Sequence, residues 1–243
     1  MKKLSAFILV TVILLSCFCM TSCLDDDHIV WKVRGYQSIF TVKVENDGYY
    51  FQNDEGKTFL PITPVHGYSP SRNHRAFVTY TLGPNESEVS DYAMYVHRID
   101  SILSKKIAEN LHEKNDTIYG QDPVKIEKIW IGGGFLNIKF GTYWGGKEAH
   151  FVNLLQEDEG DPFTLTFRHN SYNDPDYKWA YGWVAFDLSG LETEKTENET
   201  LKITVKVNTY QGIKEFPFEY KPEEDTDESE LEGEEEISSM SLF

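Results

Sequence analysis

Cysteine is missing from most of this chain. All three, Cys17, Cys19 and Cys23, fall within the first 23 of 243 residues. The body that follows therefore has no internal disulfide and no thiol nucleophile. Basic charge is scarce too, with 23 Lys and Arg against 40 Asp and Glu, a net charge of −17. No basic cluster interrupts that balance, so nucleic-acid binding is not expected, since phosphate contacts supply most of such affinity. The seven histidines, His28, His66, His74, His97, His112, His150 and His169, form no close metal pair. A G-x-S-x-G elbow, a phosphate loop and an EF-hand spacing are also lacking. No cofactor or metal is expected.

One long apolar run is present, at residues 4–20 after Lys2 and Lys3. Thr21 and Ser22 are small and Cys23 follows. A basic start, an apolar middle and small residues at the cut describe a secretory signal peptide. The run is slightly short for a membrane span, which needs roughly 20 residues; a simple membrane anchor is the alternative. Met20-Thr21-Ser22-Cys23 is similar to a bacterial lipoprotein cleavage site, so residues 1–22 are expected to be removed and Cys23 lipidated. Asp25, Asp26 and Asp27 come next. They are a hydrated spacer or a sorting signal, and the latter resembles the acidic run that sends some lipoproteins to the cell surface. The expected location is the bacterial outer membrane, surface-exposed, held by lipid.

Cleavage leaves 221 residues, room for two ordinary domains. Residues 222–243, "PEEDTDESELEGEEEISSMSLF", hold ten Asp and Glu and no Lys or Arg, leaving −9 on the body. That composition cannot build a core and is expected to be a disordered acidic tail.

Between the ends, strand patterns dominate. Phe40, Val42 and Val44 alternate with polar residues, as do Phe163, Leu165 and Phe167, and Leu201, Ile203, Val205 and Val207. Strands are expected near 31–46, 49–53, 57–62, 75–82 and 91–99, which suit a five-stranded OB-like barrel over residues 29–120. The loop "PVHGYSPSRNH" (64–74) takes the place of the usual helix. Residues 100–113 read as a helix, with Ile102, Leu103, Ile107 and Leu111 near a 3.6 period. Seven further short strands, near 123–131, 135–143, 148–155, 162–169, 180–188, 199–210 and 214–220, suit an antiparallel, immunoglobulin-like sandwich over residues 121–221. Residues 23–28 form the segment between signal peptide and barrel. The fold class is all-β.

"IWIGGGFLNIKF" (129–140), "AHFVNLL" (149–155), "FRHNSYND" (167–174), "GWVAFDLSGL" (182–191) and "ITVKVNTY" (203–210) resemble the NigD-like lipoprotein family. The plan of lipobox, acidic run, OB-type domain and sandwich is similar as well. The resemblance implies an envelope lipoprotein with a C-terminal sandwich. It implies an association with bacteriocin gene clusters, and it brings no enzymatic activity or site residue with it.

The residues themselves offer one candidate surface, "YNDPDYKWAYGW" (172–183), with Tyr172, Tyr177, Trp179, Tyr181 and Trp183. Val184, Phe186 and Leu188 share one parity and face the core, so Tyr181, Trp183 and Asp187 point the other way. Exposed aromatics of this kind stack on sugars or anchor a protein. The competing reading caps the core with Trp179 and Trp183, or packs them on the other domain. Gly132-Gly133-Gly134 reads as a tight turn between strands. Asn173, Asp174 and Asp176 read as turn residues rather than calcium ligands. The expected function is that of a non-catalytic surface lipoprotein binding a protein or other envelope partner. The alternative is a carbohydrate-binding accessory lipoprotein of a glycan-uptake system.

Overall fold

Thirteen strands account for most of the described residues. The computed structural model describes residues 35–45, 48–157, 160–174, 177–191 and 200–222. The expected lipidation site Cys23, the run Asp25, Asp26 and Asp27, Asp176 and residues 223–243 lie outside them.

The first five strands are β1 (Tyr36–Glu45), β2 (Gly48–Gln52), β3 (Thr58–Pro61), β4 (His74–Gly83) and β5 (Tyr92–Ser101). They close into a barrel in the order β1-β2-β3-β5-β4. Alternation sends Phe40, Val42, Phe51, Phe59, Ala76, Val78, Tyr80 and Met94 into its core. Phe40 meets Phe51, Phe59 and Tyr80 edge-on, with ring centroids 5.0–6.0 Å apart. The segment from β3 to β4 carries no helix, as the 64–74 loop led us to expect.

The expected helix at 100–113 is not formed. β5 runs to Ser101, and β6 (Leu103–Lys106) follows after one residue. Its apolar residues serve two cores: Ile102 packs where barrel meets sandwich, while Leu103 and Ile107 pack into the sandwich. Their spacing therefore mimics a helical stripe without being one. A single 3-10 turn (His112–Lys114) and a short helix, α1 (Asn115–Tyr119), come afterwards.

The sandwich has eight strands, the seven expected and β6. One sheet orders β6, β11 (Lys178–Asp187), β8 (Phe135–Trp144) and β7 (Lys125–Gly132). The other orders β13 (Gly212–Tyr220), β12 (Leu201–Thr209), β10 (Thr164–Asn170) and β9 (Phe151–Gln156). Two pairings, β6 with β11 and β10 with β12, are parallel rather than antiparallel. Between the sheets lie Leu136, Ile138, Phe140, Leu154, Leu165, Val184, Phe186, Val205 and Val207, all at most 1% exposed.

Barrel and sandwich belong to one compact unit. A buried arginine joins them. Arg75, on β4, is 0% exposed. Its Nη1 donates to Thr41 Oγ1 at 2.8 Å, its Nε to Asn137 Oδ1 at 3.0 Å and its Nη2 to Asp54 Oδ1 at 2.5 Å. Asp54 Oδ2 accepts a further bond from Trp130 Nε1 at 3.0 Å. Thr41 and Asp54 belong to the barrel, Trp130 and Asn137 to the sandwich. The Gly132-Gly133-Gly134 turn docks here, and Thr41 Oγ1 donates to Gly133 O at 3.1 Å. Gly133 has φ +60°, and a Cβ there would sit 2.1 Å from Thr41 Oγ1. Only glycine allows both this backbone and this approach.

Candidate binding face

The sheet β6-β11-β8-β7 turns one face to the core and the other outward. Register sets the outward rows. Trp179 pairs with Tyr143, Tyr181 with Gly141, Trp183 with Lys139, and Ala185 with Asn137. From β7, Lys128 pairs with Lys139 and Trp130 with Asn137. The barrel covers the Ala185–Asn137 end, where Ile102, Phe135 and Ala185 are buried against Ile39 and Phe77. Among the described residues, the rest of the face is left uncovered by the barrel.

The orientation of these side chains follows the parity argument, whereas the packing of Trp183 on the barrel follows the competing reading. Val184, Phe186 and Leu188 are core residues, and Tyr181 and Trp183 stand opposite them. Their environments differ. Tyr181 is 48% exposed. Trp183 is half-buried, its ring set edge-on to Phe77 of the barrel at 4.9 Å and to Trp130 at 6.3 Å. Trp179 is half-buried across Gly141, where a Cβ would come within 2.5 Å of the indole. Tyr143, Tyr181 and Tyr210 surround Trp179 at 5.1–6.4 Å.

Two members of the sequence-defined patch are not part of this face. Tyr172 has a positive φ and stacks loosely on Phe151 of β9, 6.5 Å away. Tyr177, 81% exposed, stands free at the start of β11. Sequence reasoning also missed several residues: Trp130, Lys128, Lys139, Tyr143 and Tyr210. The same parity rule applied to "IWIGGGFLNIKF" and the four residues that continue its second strand would have found Lys139 and Tyr143, because Leu136, Ile138 and Phe140 already occupy the core side.

The lysines change the character of the aromatics. Lys128 Nζ lies 4.3 Å from the Trp130 ring centroid. Lys139 Nζ lies 5.2 Å from those of both Tyr181 and Trp183. Each is within cation–π range.

A cleft of about 900 Å3 continues the face towards the barrel. Tyr181 and Trp183 form one wall, and Tyr68, Arg72, His74 and Arg98 belong to the other side. His74 Nδ1 donates to Arg72 O at 3.0 Å, so Nε2 accepts from Tyr68 Oη at 2.8 Å. Burial holds the His74 imidazole below its usual range and pushes the Tyr68 phenol up to about 12. Both are neutral at physiological pH. Arg98 is paired with Asp100 at 2.7 Å.

A second polar group lies inside the sandwich. His150 and His169 are 0% and 2% exposed and bonded to each other at 2.9 Å. His169 Nδ1 faces the Asp122 carbonyl at 3.3 Å and must donate to it. His150 Nδ1 then donates to His169 Nε2, which leaves His150 Nε2 bare, 3.5 Å from Asp174 Oδ2. Asp174 accepts backbone N–H bonds from Gly145, Gly146 and Lys147. Its carboxylate caps the loop at residues 145–147 rather than a turn of its own segment. The Asp122 carboxylate is likewise engaged, accepting from the Ser171 N–H and Oγ at 2.7 and 2.6 Å. Among the described residues no cluster of three or more His, Cys, Asp or Glu side chains could hold a metal ion, and no helix is long and apolar enough to cross a membrane.

Comparison with known proteins supplies the context. Residues 39–102 match the NigD-like N-terminal OB domain and residues 106–220 the NigD-like C-terminal β-sandwich domain. A crystal structure from Parabacteroides distasonis, provisionally described as a toxin-related protein, shares 42% identity at a TM-score of 0.70. That match covers 76% of this chain and 93% of the other. A NigD-like immunity protein from Bacteroides caccae superposes with a TM-score of 0.58 at 20% identity, over 78% of this chain and 98% of its own. A protein from Bacteroides fragilis, provisionally described as a lipoprotein, gives 0.51 at 11% identity over 77% and 97%. The last two show the fold alone. No curated protein matches the chain. Both domain matches, together with a 42%-identical relative spanned almost end to end, place this chain in the NigD-like family.

Proposed function

We propose that this chain is a lipid-anchored protein of the bacterial envelope that binds a protein partner through the outer face of β7, β8 and β11, without catalysis. One observation carries the reading: Trp130, Tyr143, Trp179, Tyr181 and Trp183 are gathered from three strands onto one face, interleaved with Lys128 and Lys139. Large aromatics are the residues that anchor protein interfaces, and charges beside them steer the encounter with an oppositely charged partner. The description of the B. caccae structure as an immunity protein and of the P. distasonis structure as toxin-related favours binding, and through it protection or neutralisation in a bacteriocin setting. The adjoining cleft supports the non-catalytic part. His74 Nε2 is engaged by Tyr68, so Ser101 Oγ, 3.4 Å away, has no free base, and no carboxylate orients the ring. The glycan-binding alternative draws on Tyr177 and Tyr181, the exposed rings. It is disfavoured where lysines cover the ring faces on which a sugar would stack.

Anchoring rests on Cys23 and the acidic run after it, and surface display on Asp25, Asp26 and Asp27. Labelled fatty acid should appear on the wild type and not on Cys23→Ala, which should leave the membrane fraction; label on the variant would refute the assignment. A photo-crosslinker at Tyr181 on intact cells should trap an envelope protein that one at Ile213, exposed on the opposite sheet, does not. Equal trapping from both positions would remove the face as the site.

A further inference from the structure

Some cations of this face and its cleft have carboxylate partners among the described residues and some do not. Lys125 Nζ is held by Glu127 at 2.7 Å, and Arg98 by Asp100. Lys128, Lys139 and, in the cleft, Arg72 have no such bond among the ion pairs of the described residues. Lys139 thus lies over Trp183, Lys128 over its neighbour Trp130, and Arg72 in the cleft that Trp183 also lines, on a body of formal charge −9. The ammonium groups lie over the rings, so what the face offers outward is N–H donors above an apolar floor. A sugar needs open ring faces; a run of carboxylates with apolar residues among them does not.

The chain itself carries such a run. Residues 223–236 hold ten Asp and Glu, and "ISSMSLF" follows. Twenty-one residues after Pro222 reach up to roughly 70 Å when extended. The open face from Asn137 to Tyr143 spans only about 20 Å. Length is therefore sufficient from either edge of the sandwich. We infer that residues 223–243 bind in cis to the face formed by Lys128, Lys139, Trp183 and Tyr181, covering it until a partner displaces them. The inference rests on the proposed function only in taking this face as the contact surface.

Zero-length carbodiimide coupling of the full-length protein in detergent tests it, because only a lysine and a carboxylate in contact are joined. Isopeptide bonds should link Lys128 or Lys139 to residues 223–236 and should fall at least several-fold in 1 M NaCl. Mixing 14N- and 15N-labelled protein separates the alternatives. Links within one label support the contact; links between labels would assign it to a second copy and overturn the intramolecular arrangement. Equal coupling of the tail to Lys43, Lys57 and Lys202 would overturn it as well. In a second variant, the ten carboxylates are replaced by amides. Acetylation of Lys128 and Lys139 should then accelerate several-fold, and unchanged rates would count against the contact. If the tail links fail while Tyr181 still traps a partner, only this inference falls. If the links form and Tyr181 traps nothing, only the partner reading falls.

Discussion

Lowering the pH from 7.5 to 5 perturbs the buried histidine pair, because neither ring carries charge inside the sandwich at neutral pH. Burial is the main cause holding the His169 imidazole down, at about 4, and the neighbouring His150 adds to it while Asp122 opposes. In the unfolded chain the same group titrates near 6.5. The unfolded state therefore takes up a proton first as pH falls. Stability from this group is complete above about pH 6.5 and is lost progressively towards pH 4. The loss is about 2 kcal/mol at pH 5 and approaches about 3 kcal/mol below pH 4, at ~1.4 kcal/mol per unit. With a urea slope of about 2 kcal/mol/M, the midpoint should drop by about 1 M between pH 7.5 and 5.

Two other groups share the sign. Burial lowers His150 too, with Asp174 pulling the other way, and His74 is lowered in the barrel. Burial pushes the Asp122 and Asp174 carboxylates up, but the hydrogen bonds they accept outweigh it and hold them low, so they lose their contribution only below about pH 4. The informative comparison is wild type against His169→Gln, with His74→Gln as the barrel control. His169→Gln should start from a lower midpoint at pH 7.5 and then fall by about 1 M less. If wild type and His169→Gln lose stability in parallel across this window, the pair does not hold its rings neutral and the reasoning is wrong.

Gly133→Ala should destabilise by more than about 2 kcal/mol in denaturant unfolding, because the new Cβ meets Thr41 and Arg75 at 2.1 and 2.5 Å on a positive-φ backbone. Arg75→Ala should cost about 3–5 kcal/mol, since it strands Asp54 without its cation; adding Asp54→Asn should recover part of that loss in a double-mutant cycle. Trp183→Ala should cost about 2 kcal/mol, below the range for a fully buried Trp, whereas Tyr181→Ala should stay within about 0.5 kcal/mol yet weaken partner capture at least 10-fold. Replacing Asp25, Asp26 and Asp27 by Ala should hide the protein from protease added to intact cells; unchanged cleavage would reduce them to a spacer.

Strand positions were legible because each row of apolar residues serves one core. Phe40 and Val42 in the barrel, and Ile203, Val205 and Val207 in the sandwich, show period 2 directly and face inward. Residues 100–113 were misread for the opposite reason. Ile102 belongs to the junction and Leu103 to the sandwich, so two faces of one extended segment are both buried. Periodicity read from sequence assumes a single buried face, and that assumption fails where a strand passes between domains. Sheet order has the same limit. The parallel pairing of β6 with β11 joins residues about 80 apart, and no local pattern encodes it.

The candidate face was half legible. Parity placed Tyr181 and Trp183 outward, which is where they are. It could not place Lys139 beside Trp183 or Trp130 beyond it, because cross-strand neighbours depend on register. The β7–β8 half of that register follows from the Gly132-Gly133-Gly134 turn, which is seated against Thr41 and Arg75 of the barrel. The β8–β11 half, which sets Lys139 beside Trp183, joins strands far apart in sequence and is encoded by no local turn. A contact between domains thus helps to place Lys128 and Trp130 on the face. With Lys128 set over Trp130 and Lys139 between Tyr181 and Trp183, rings that looked available for stacking carry cations instead. An outward-pointing aromatic residue is therefore not the same as an open aromatic surface, and the proposed preference for carboxylate-bearing chains over sugars rests on that difference.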